Sequence, residues 1–341
     1  MFSTGIHYLC AMIQFQFPHK ENQPNTFHFG QASFRIIFMG TPEFAVASLD
    51  ALYRAGYDIA AVVTAPDKPA GRGMQMQQSA VKKYALEKGL QVLQPEKLKS
   101  PDFIAALQNL QADLQVVVAF RMLPEIVWSM PRLGSVNLHG SLLPQYRGAA
   151  PINWAVINGE KETGVTTFRL QHEIDTGNIL LQESLPIGEN ETAGEVHDRM
   201  KEAGAGLLVK TVEGLANGTL QEKPQPAGNT GLKHAPKIFT ETCRIDFTKT
   251  VAEVHNLVRG LSPFPGAFTY MHGKALKFFR SEKEAQQDMT VPPGTVETDG
   301  STYLRFACAN GFIRILELQL EGKKRMTTND FLKGYRLPAS Q

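Results

Sequence analysis

Three polar residues in the 341-residue chain have the types and positions to act on a carbonyl group: Asn137, His139 and Asp175. Asn137 and His139 stand two apart in Ser135-Val-Asn-Leu-His139, with Val136 and Leu138 in the alternate positions. A strand's period of two sends the amide and the imidazole to one face. An amide N–H suits an oxygen that is gaining negative charge, a contribution worth about 3–4 kcal/mol in other oxyanion holes. An imidazole that is cationic or donates would polarise the same oxygen. Asp175, in Asp175-Thr-Gly177, can orient the imidazole and accept, directly or through water, the proton shed by an attacking amine. Positioned acid–base groups typically contribute about 10²–10⁴-fold. The set fits acyl or formyl transfer to an amine without a covalent intermediate. A plainer reading stays open for each residue. Asn137 and His139 would be a buried pair satisfying nearby backbone groups, and Asp175 an Asx-turn residue.

Other chemistries find less in the chain. No second His or Cys stands at ligand spacing from His139, so no metal site is expected. Cys10, Cys243 and Cys308 lie far apart and read as reduced thiols of a cytoplasmic protein. Ser141 follows His139 closely, but no Gly-x-Ser-x-Gly elbow presents a nucleophile. The first apolar run ends in Gly40-Thr-Pro-Glu43 rather than Gly-x-Gly-x-x-Gly, and Glu43 at the next helix would repel a pyrophosphate. A nicotinamide cofactor is therefore not expected.

The elements that must position these residues follow from periodicity. Residues 34–39, 59–64, 92–93, 114–120 and 135–139 read as short apolar strands; 43–55, 79–88, 102–110 and 124–130 read as helices between them. The alternation predicts an α/β fold with a doubly wound, mainly parallel sheet of Rossmann-like winding. Asn137 and His139 then stand at the carboxyl end of a strand, where such sheets bind ligands. A short helix at 151–157, paired strands at 164–170 and 179–185 around the Asp175 loop, and a long helix at 192–216 complete a first domain, 34–222. Residues 223–237, with Pro and Gly spread through them, read as a linker. Residues 238–341 hold a helix near 251–258, five short strands (267–271, 275–279, 294–298, 303–307, 312–318) and a last helix at 328–333. They predict a C-terminal β-barrel of oligonucleotide-binding type.

The composition, 43% hydrophobic, allows two cores, and no run of about eighteen apolar residues suggests a membrane span. The net charge of +2 is unevenly spread. Residues 223–341 hold 17 Lys and Arg against 11 Asp and Glu, so the first 222 residues are net acidic. A basic C-terminal part suits a polyanion such as a nucleic acid, although indifferent surfaces of that charge are equally common. Residues 1–33 carry no signal-peptide pattern; 20–33 are polar and read as disordered, so this stretch is expected to be an extension without assigned function.

Taken together, Asn137-Leu-His139-Gly-Ser-Leu-Leu-Pro144 and Asp175-Thr-Gly177, 36 residues after His139, resemble the folate-dependent formyltransferases. Tyr146-Arg-Gly-Ala-Ala-Pro-Ile152, Pro69-Ala-Gly-Arg-Gly73, Leu261-Ser-Pro-Phe-Pro-Gly266 and Gly322-Lys-Lys-Arg-Met326 extend the match. Over residues 34–336 the likeness is to members that act on methionyl-tRNA in translation initiation. The resemblance implies 10-formyltetrahydrofolate as co-substrate and initiator methionyl-tRNA as acceptor. It implies Asn137, His139 and Asp175 as catalytic residues. Ser141, Leu142, Leu143 and Pro144 would line the folate site beside the loop Phe120, Arg121, Met122 and Leu123. That loop is one residue shorter than the family's usual form. Arg72 would mark the tip of a loop reaching the acceptor end of the tRNA, and the basic C-terminal domain, with Lys237, Lys323, Lys324 and Arg325, would meet its phosphates. A cytoplasmic monomer with no membrane partner is expected. Two alternatives remain: a nucleotide-amino-sugar formyltransferase, and a non-catalytic RNA-binding module.

Overall fold

A computed structural model of the chain describes residues 34–70, 75–226, 231–286 and 289–335. Residues 1–33 and Arg72 lie outside them. In order, the N-terminal part contains β1 (Arg35–Gly40), α1 (Glu43–Arg54), β2 (Asp58–Val63), β3 (Lys68–Ala70), β4 (Gln75–Gln77), α2 (Ala80–Glu87), β5 (Val92–Leu93) and α3 (Pro101–Leu110). Then come β6 (Leu114–Val118), α4 (Glu125–Trp128), β7 (Ser135–His139), β8 (Arg147–Gly148), α5 (Pro151–Ile157), β9 (Glu162–Arg169), β10 (Ile179–Pro186) and α6 (Ala193–Ala216).

Seven of these strands form one sheet in the order β10-β9-β7-β6-β1-β2-β5. The five strands from β7 to β5 are parallel; β9 and β10 run antiparallel at the other edge. The continuous apolar run of β1 is explained by burial on both faces. Ile36 and Phe38 enter the core beneath α1 and α6, while Ile37 and Met39 enter a second core with Phe103, Leu107 and Val127 of α3 and α4. A fully buried side chain of this size contributes about 2–3 kcal/mol. The chain winds outward from β1 in both directions, so the sheet's switch point lies between β1 and β6, next to β7.

The long helix α6 follows its apolar stripe, burying Val196, Met200, Leu207, Leu208 and Val212. Thr192 and Glu195 form a capping box at its start, a device worth about 1 kcal/mol. The second carboxylate oxygen of Glu195 takes a bond from Arg280 in the C-terminal part, so the cap also ties the two halves together.

The C-terminal part comprises β11 (His234–Ala235), α7 (Val251–Gly260), β12 (Ala267–Met271), β13 (Lys274–Ala285), β14 (Val296–Thr298), β15 (Leu304–Cys308), β16 (Gly311–Leu320), β17 (Met326–Thr327) and α8 (Thr328–Gly334). The expected barrel takes the form of a curled antiparallel half-barrel, β12-β13-β16-β15-β14, with β17 on β16. Val254 and Val258 of α7 pack into its core with Phe278, Phe306, Ile313 and Leu318. β13 runs six residues past the expected end at 279. Glu282 and Glu284 lie opposite Arg314 and Phe312, and Arg305 pairs with Glu284 at 2.8 Å. Within the stretch 66–73, whose prolines and glycines read as loop, Lys68–Ala70 forms β3 and pairs with β4 beyond it.

The two halves share a close seam. Asn153 donates to the Gly260 carbonyl at 2.8 Å, Lys283 pairs with Glu189 at 2.7 Å, and a Cβ on Gly260 would sit 2.5 Å from Ile157. Among the described residues no helix is long and apolar enough to cross a membrane.

Candidate active site

β7 lies between β6 and β9, with Asn137 opposite Val117 on one side and Phe168 on the other, and His139 opposite Thr166. Val136 and Leu138 face the main core, so Asn137 and His139 share the other face. Phe168 is fully buried, clusters with Leu143 and Ile179, and sets its ring edge against His139 at 6.3 Å between centroids and 86°. The polar pair thus rests on an apolar floor. Among the described residues the Asn137 carboxamide makes no hydrogen bond, and the residue is half-buried.

The two edges of His139 are occupied differently. Nε2 lies 2.9 Å from the Tyr146 carbonyl oxygen, which can only accept, so this nitrogen carries a proton. Nδ1 faces the Asp175 carboxylate at 3.8 Å, beyond hydrogen-bond length but within reach of charge attraction. Both side chains are nearly buried, at 7% and 11% exposure. The same carboxylate oxygen accepts from the Gly148 N–H at 2.9 Å. Asp175 therefore binds backbone 27 residues upstream rather than closing an Asx-turn. The plainer reading of His139 holds for one ring edge only.

Backbone shape makes these contacts possible. Tyr146 and Asp175 have φ of 58° and 55°, a left-handed conformation uncommon for residues with a Cβ and known to gather at functional sites. Gly148 has φ of 125° and lies so close to the chain that a Cβ would stand 2.5 Å from the Ala235 carbonyl oxygen. A Cβ on Gly177 would stand 1.7 Å from the Arg169 carbonyl oxygen. The Tyr146 hydroxyl bonds Glu160 at 2.5 Å, which pins the residue whose carbonyl holds His139. Burial, and then this bond, push the Tyr146 pKa well above its ordinary value, so the phenol stays a neutral donor. Thr166 anchors the turn after His139 by donating to the Ser141 carbonyl at 2.6 Å and accepting from the Leu143 N–H at 3.1 Å.

The residues expected at the folate site divide. Ser141 donates to the Gln145 carbonyl and Leu143 belongs to the floor cluster, so both side chains turn inward. Leu142, Pro144 and Phe120 are half-buried, Leu123 is buried, and Met122 is 72% exposed. Arg121 bonds the carbonyls of Pro95 and Glu96. Of the expected tRNA contacts, Lys323 and Lys324 are exposed on the turn between β16 and β17. Arg325 pairs with Glu317 and covers the Phe279 ring at 4.4 Å, and Lys237 lies over Phe239 at 5.6 Å. Tyr146, Gly148 and Thr166 were not among the expected site residues. They act through backbone atoms or by fixing them, and residue types advertise side chains.

The family model described as formyl transferase matches residues 34–212, and that of the formyl transferase C-terminal domain matches 237–336. Methionyl-tRNA formyltransferase of Azobacteroides pseudotrichonymphae is 54% identical over 88% of this chain and 95% of its own length. That of Bacteroides thetaiotaomicron is also 54% identical, over 89% and 96%. Among solved structures, WlaRD, a sugar 3N-formyl transferase determined in the presence of dTDP and 5-N-formyl-THF, is similar with a TM-score of 0.62 and 22% identity. The match covers 86% of this chain and 100% of that one. HypX from Aquifex aeolicus in complex with tetrahydrofolic acid has a TM-score of 0.60 at 18% identity, over 89% and 48%. At those identities the likeness is one of fold. By both domain matches, and by identity over nearly the full length of its relatives, the chain belongs to the formyl transferase family and, within it, to the methionyl-tRNA formyltransferases.

Proposed function

We propose that the chain transfers the formyl group of 10-formyltetrahydrofolate to the α-amino group of initiator methionyl-tRNA, as a cytoplasmic monomer supporting translation initiation. The observation that carries the reading is the convergence at one strand end of an unpartnered carboxamide, an imidazole edge and a carboxylate. The donor set fits the formyl oxygen, because Asn137 has N–H groups to give and no other partner among the described residues. The folate would supply a formyl group already carried on nitrogen; the carbon–N10 bond breaks as the bond to the amine forms, and N10 leaves with the proton that the amine sheds.

Asn137 donates to the formyl oxygen as negative charge develops there. His139, its Nε2 held by Tyr146, turns Nδ1 toward the same region and, when protonated, donates from that atom. Asp175, fixed by the Gly148 N–H, faces the imidazole edge and receives the proton that the amine sheds. Free α-amino groups titrate near pH 7.7–8, about neutrality, so little deprotonation work is required. The floor of Phe168, Leu143 and Ile179 keeps water from below, which strengthens each of these interactions. Residues 141–144 and the loop from Phe120 to Leu123 would hold the folate. Phosphates of the tRNA meet Lys237, Lys323, Lys324 and Arg325.

The sugar-nucleotide alternative is supported by fold likeness at 22% identity, against 54% for the tRNA enzymes. A non-catalytic RNA-binding module leaves the strand-end constellation without a purpose. The test is formylation by the purified chain supplied with 10-formyltetrahydrofolate and either methionyl initiator tRNA or a nucleotide-linked amino sugar. Formylmethionyl-tRNA that appears only when the folate is present is the expected product. Formylation of the sugar and not of the tRNA would overturn the reading.

A further inference from the structure

The segment joining the two halves is exposed at Lys223, Pro224 and Pro226, yet Gln225 between them turns inward. Every polar capacity of its side-chain amide is used. Nε2 donates to the carbonyl oxygens of Asp175 at 2.9 Å and Gly177 at 2.8 Å, and Oε1 accepts from Arg147 Nε at 3.1 Å and from its terminal nitrogen at 2.6 Å. A guanidinium only donates and a carbonyl only accepts, so the chemistry admits one orientation of this amide. Arg147 precedes Gly148, whose N–H holds the Asp175 carboxylate. Gln225, Arg147, Gly148 and Asp175 therefore close a ring, with Asp175 gripped at both its side chain and its carbonyl. Asp175 has a left-handed φ of 55°, a conformation uncommon for residues with a Cβ.

We propose that Gln225 is a positioning residue of the active site. It holds the Asp175 loop against the Arg147–Gly148 turn, and the carboxylate thereby stays at the Nδ1 edge of His139. The joining segment is then a structural part of the catalytic centre. Its following residues continue the role: β11 pairs in parallel with β8, and the Tyr146 N–H donates to the Lys233 carbonyl at 2.7 Å. This inference rests on the catalytic role proposed for Asp175.

Gln225→Glu is the informative variant. It keeps an acceptor for Arg147 and sets a carboxylate oxygen, in place of an N–H donor, against two carbonyls. Formylation kinetics are measured for wild type, Gln225→Glu, Asp175→Asn and the double variant, using 10-formyltetrahydrofolate and methionyl initiator tRNA. Gln225→Met, which removes both sets of bonds at similar volume, is the second variant should Gln225→Glu fold poorly. The expected result is a fall in kcat of about tenfold or more with KM for the tRNA within about threefold. The same change made on the Asp175→Asn background should cost less than about twofold, since acting through Asp175 makes the effects non-additive. Wild-type kcat in the glutamine variants, or an undiminished loss on the Asp175→Asn background, overturns the positioning role alone. Wild-type kcat in Asp175→Asn instead overturns the assignment on which it rests.

Discussion

The carboxyl end of β7 and the turn after β16 hold the two groups of residues on which the proposed reaction depends, and they are built in opposite ways. At β7 the imidazole is nearly buried, one of its nitrogens is spoken for by a backbone carbonyl, and the facing carboxylate is fixed by a backbone N–H. At the β16–β17 turn Lys323 and Lys324 stand in solvent without an ion-pair partner among the described residues. Charge that develops on one atom for an instant must be met at a fixed place, so its partners are held before the substrate arrives. A polyphosphate carries many permanent charges, and mobile cations meet them as well as rigid ones do. Single changes should therefore be severe at the first region and slight at the second.

The largest effect is expected from His139→Ala. Loss of the ring should lower kcat by about 10²–10⁴-fold, while tRNA affinity, measured by equilibrium binding, stays within about twofold. Comparable losses in both quantities would erase the distinction between the regions.

The seam that fixes one region relative to the other comes next. His255, 1% exposed, bonds the Ser281 hydroxyl and the Glu189 carbonyl, with Arg259, Lys283 and the Glu189 carboxylate around it. Burial pushes its pKa down to about 4, with the nearby cations adding to the effect. The unfolded chain then binds a proton as pH falls below about 6.5, and the folded chain binds it only near 4. Stability from this group is present above about pH 6.5 and is lost as pH falls toward 4, by about 3 kcal/mol at most. Urea unfolding across that window should show a loss that is smaller in His255→Gln. An identical pH dependence in the variant would mean that the seam does not titrate through this ring.

The smallest effects belong to the turn. Lys323→Ala and Lys324→Ala should each weaken tRNA binding by no more than about fivefold and reduce the slope of log affinity against log salt by about one. Neither should alter kcat. A kcat loss at either lysine would show that the turn contributes to the chemistry.

The two regions also differed in how far they could be read beforehand. The β7 residues were legible because strand alternation assigns a face to each side chain, and α6 because its stripe and its Thr192–Glu195 cap agree. The partners of the site were not. Tyr146 offers a carbonyl and Gly148 an N–H, groups that every residue of these types possesses, so only the fold reveals which are used. The joining segment looked passive for the same reason that it was easy to find: Pro and Gly interrupt it, and the one inward glutamine carries no periodic signal. β13 extends past 279 through charged residues with no apolar face of their own in sequence, and Glu282 and Glu284 find their partners only when Arg314 and Arg305 are brought alongside. β3 was hidden by its proline and the glycines that follow it, and two paired strands of three residues each leave little alternation to detect.

The central claim is that an unpartnered amide at the end of β7 meets the formyl oxygen as charge develops on it. It is tested most directly by the single-turnover rate of formyl transfer to methionyl initiator tRNA in Asn137→Ala, with folate and tRNA saturating. The expected result is a rate lower by about 10²–10³-fold in a folded protein whose tRNA affinity is unchanged. Transfer at the wild-type rate would contradict it.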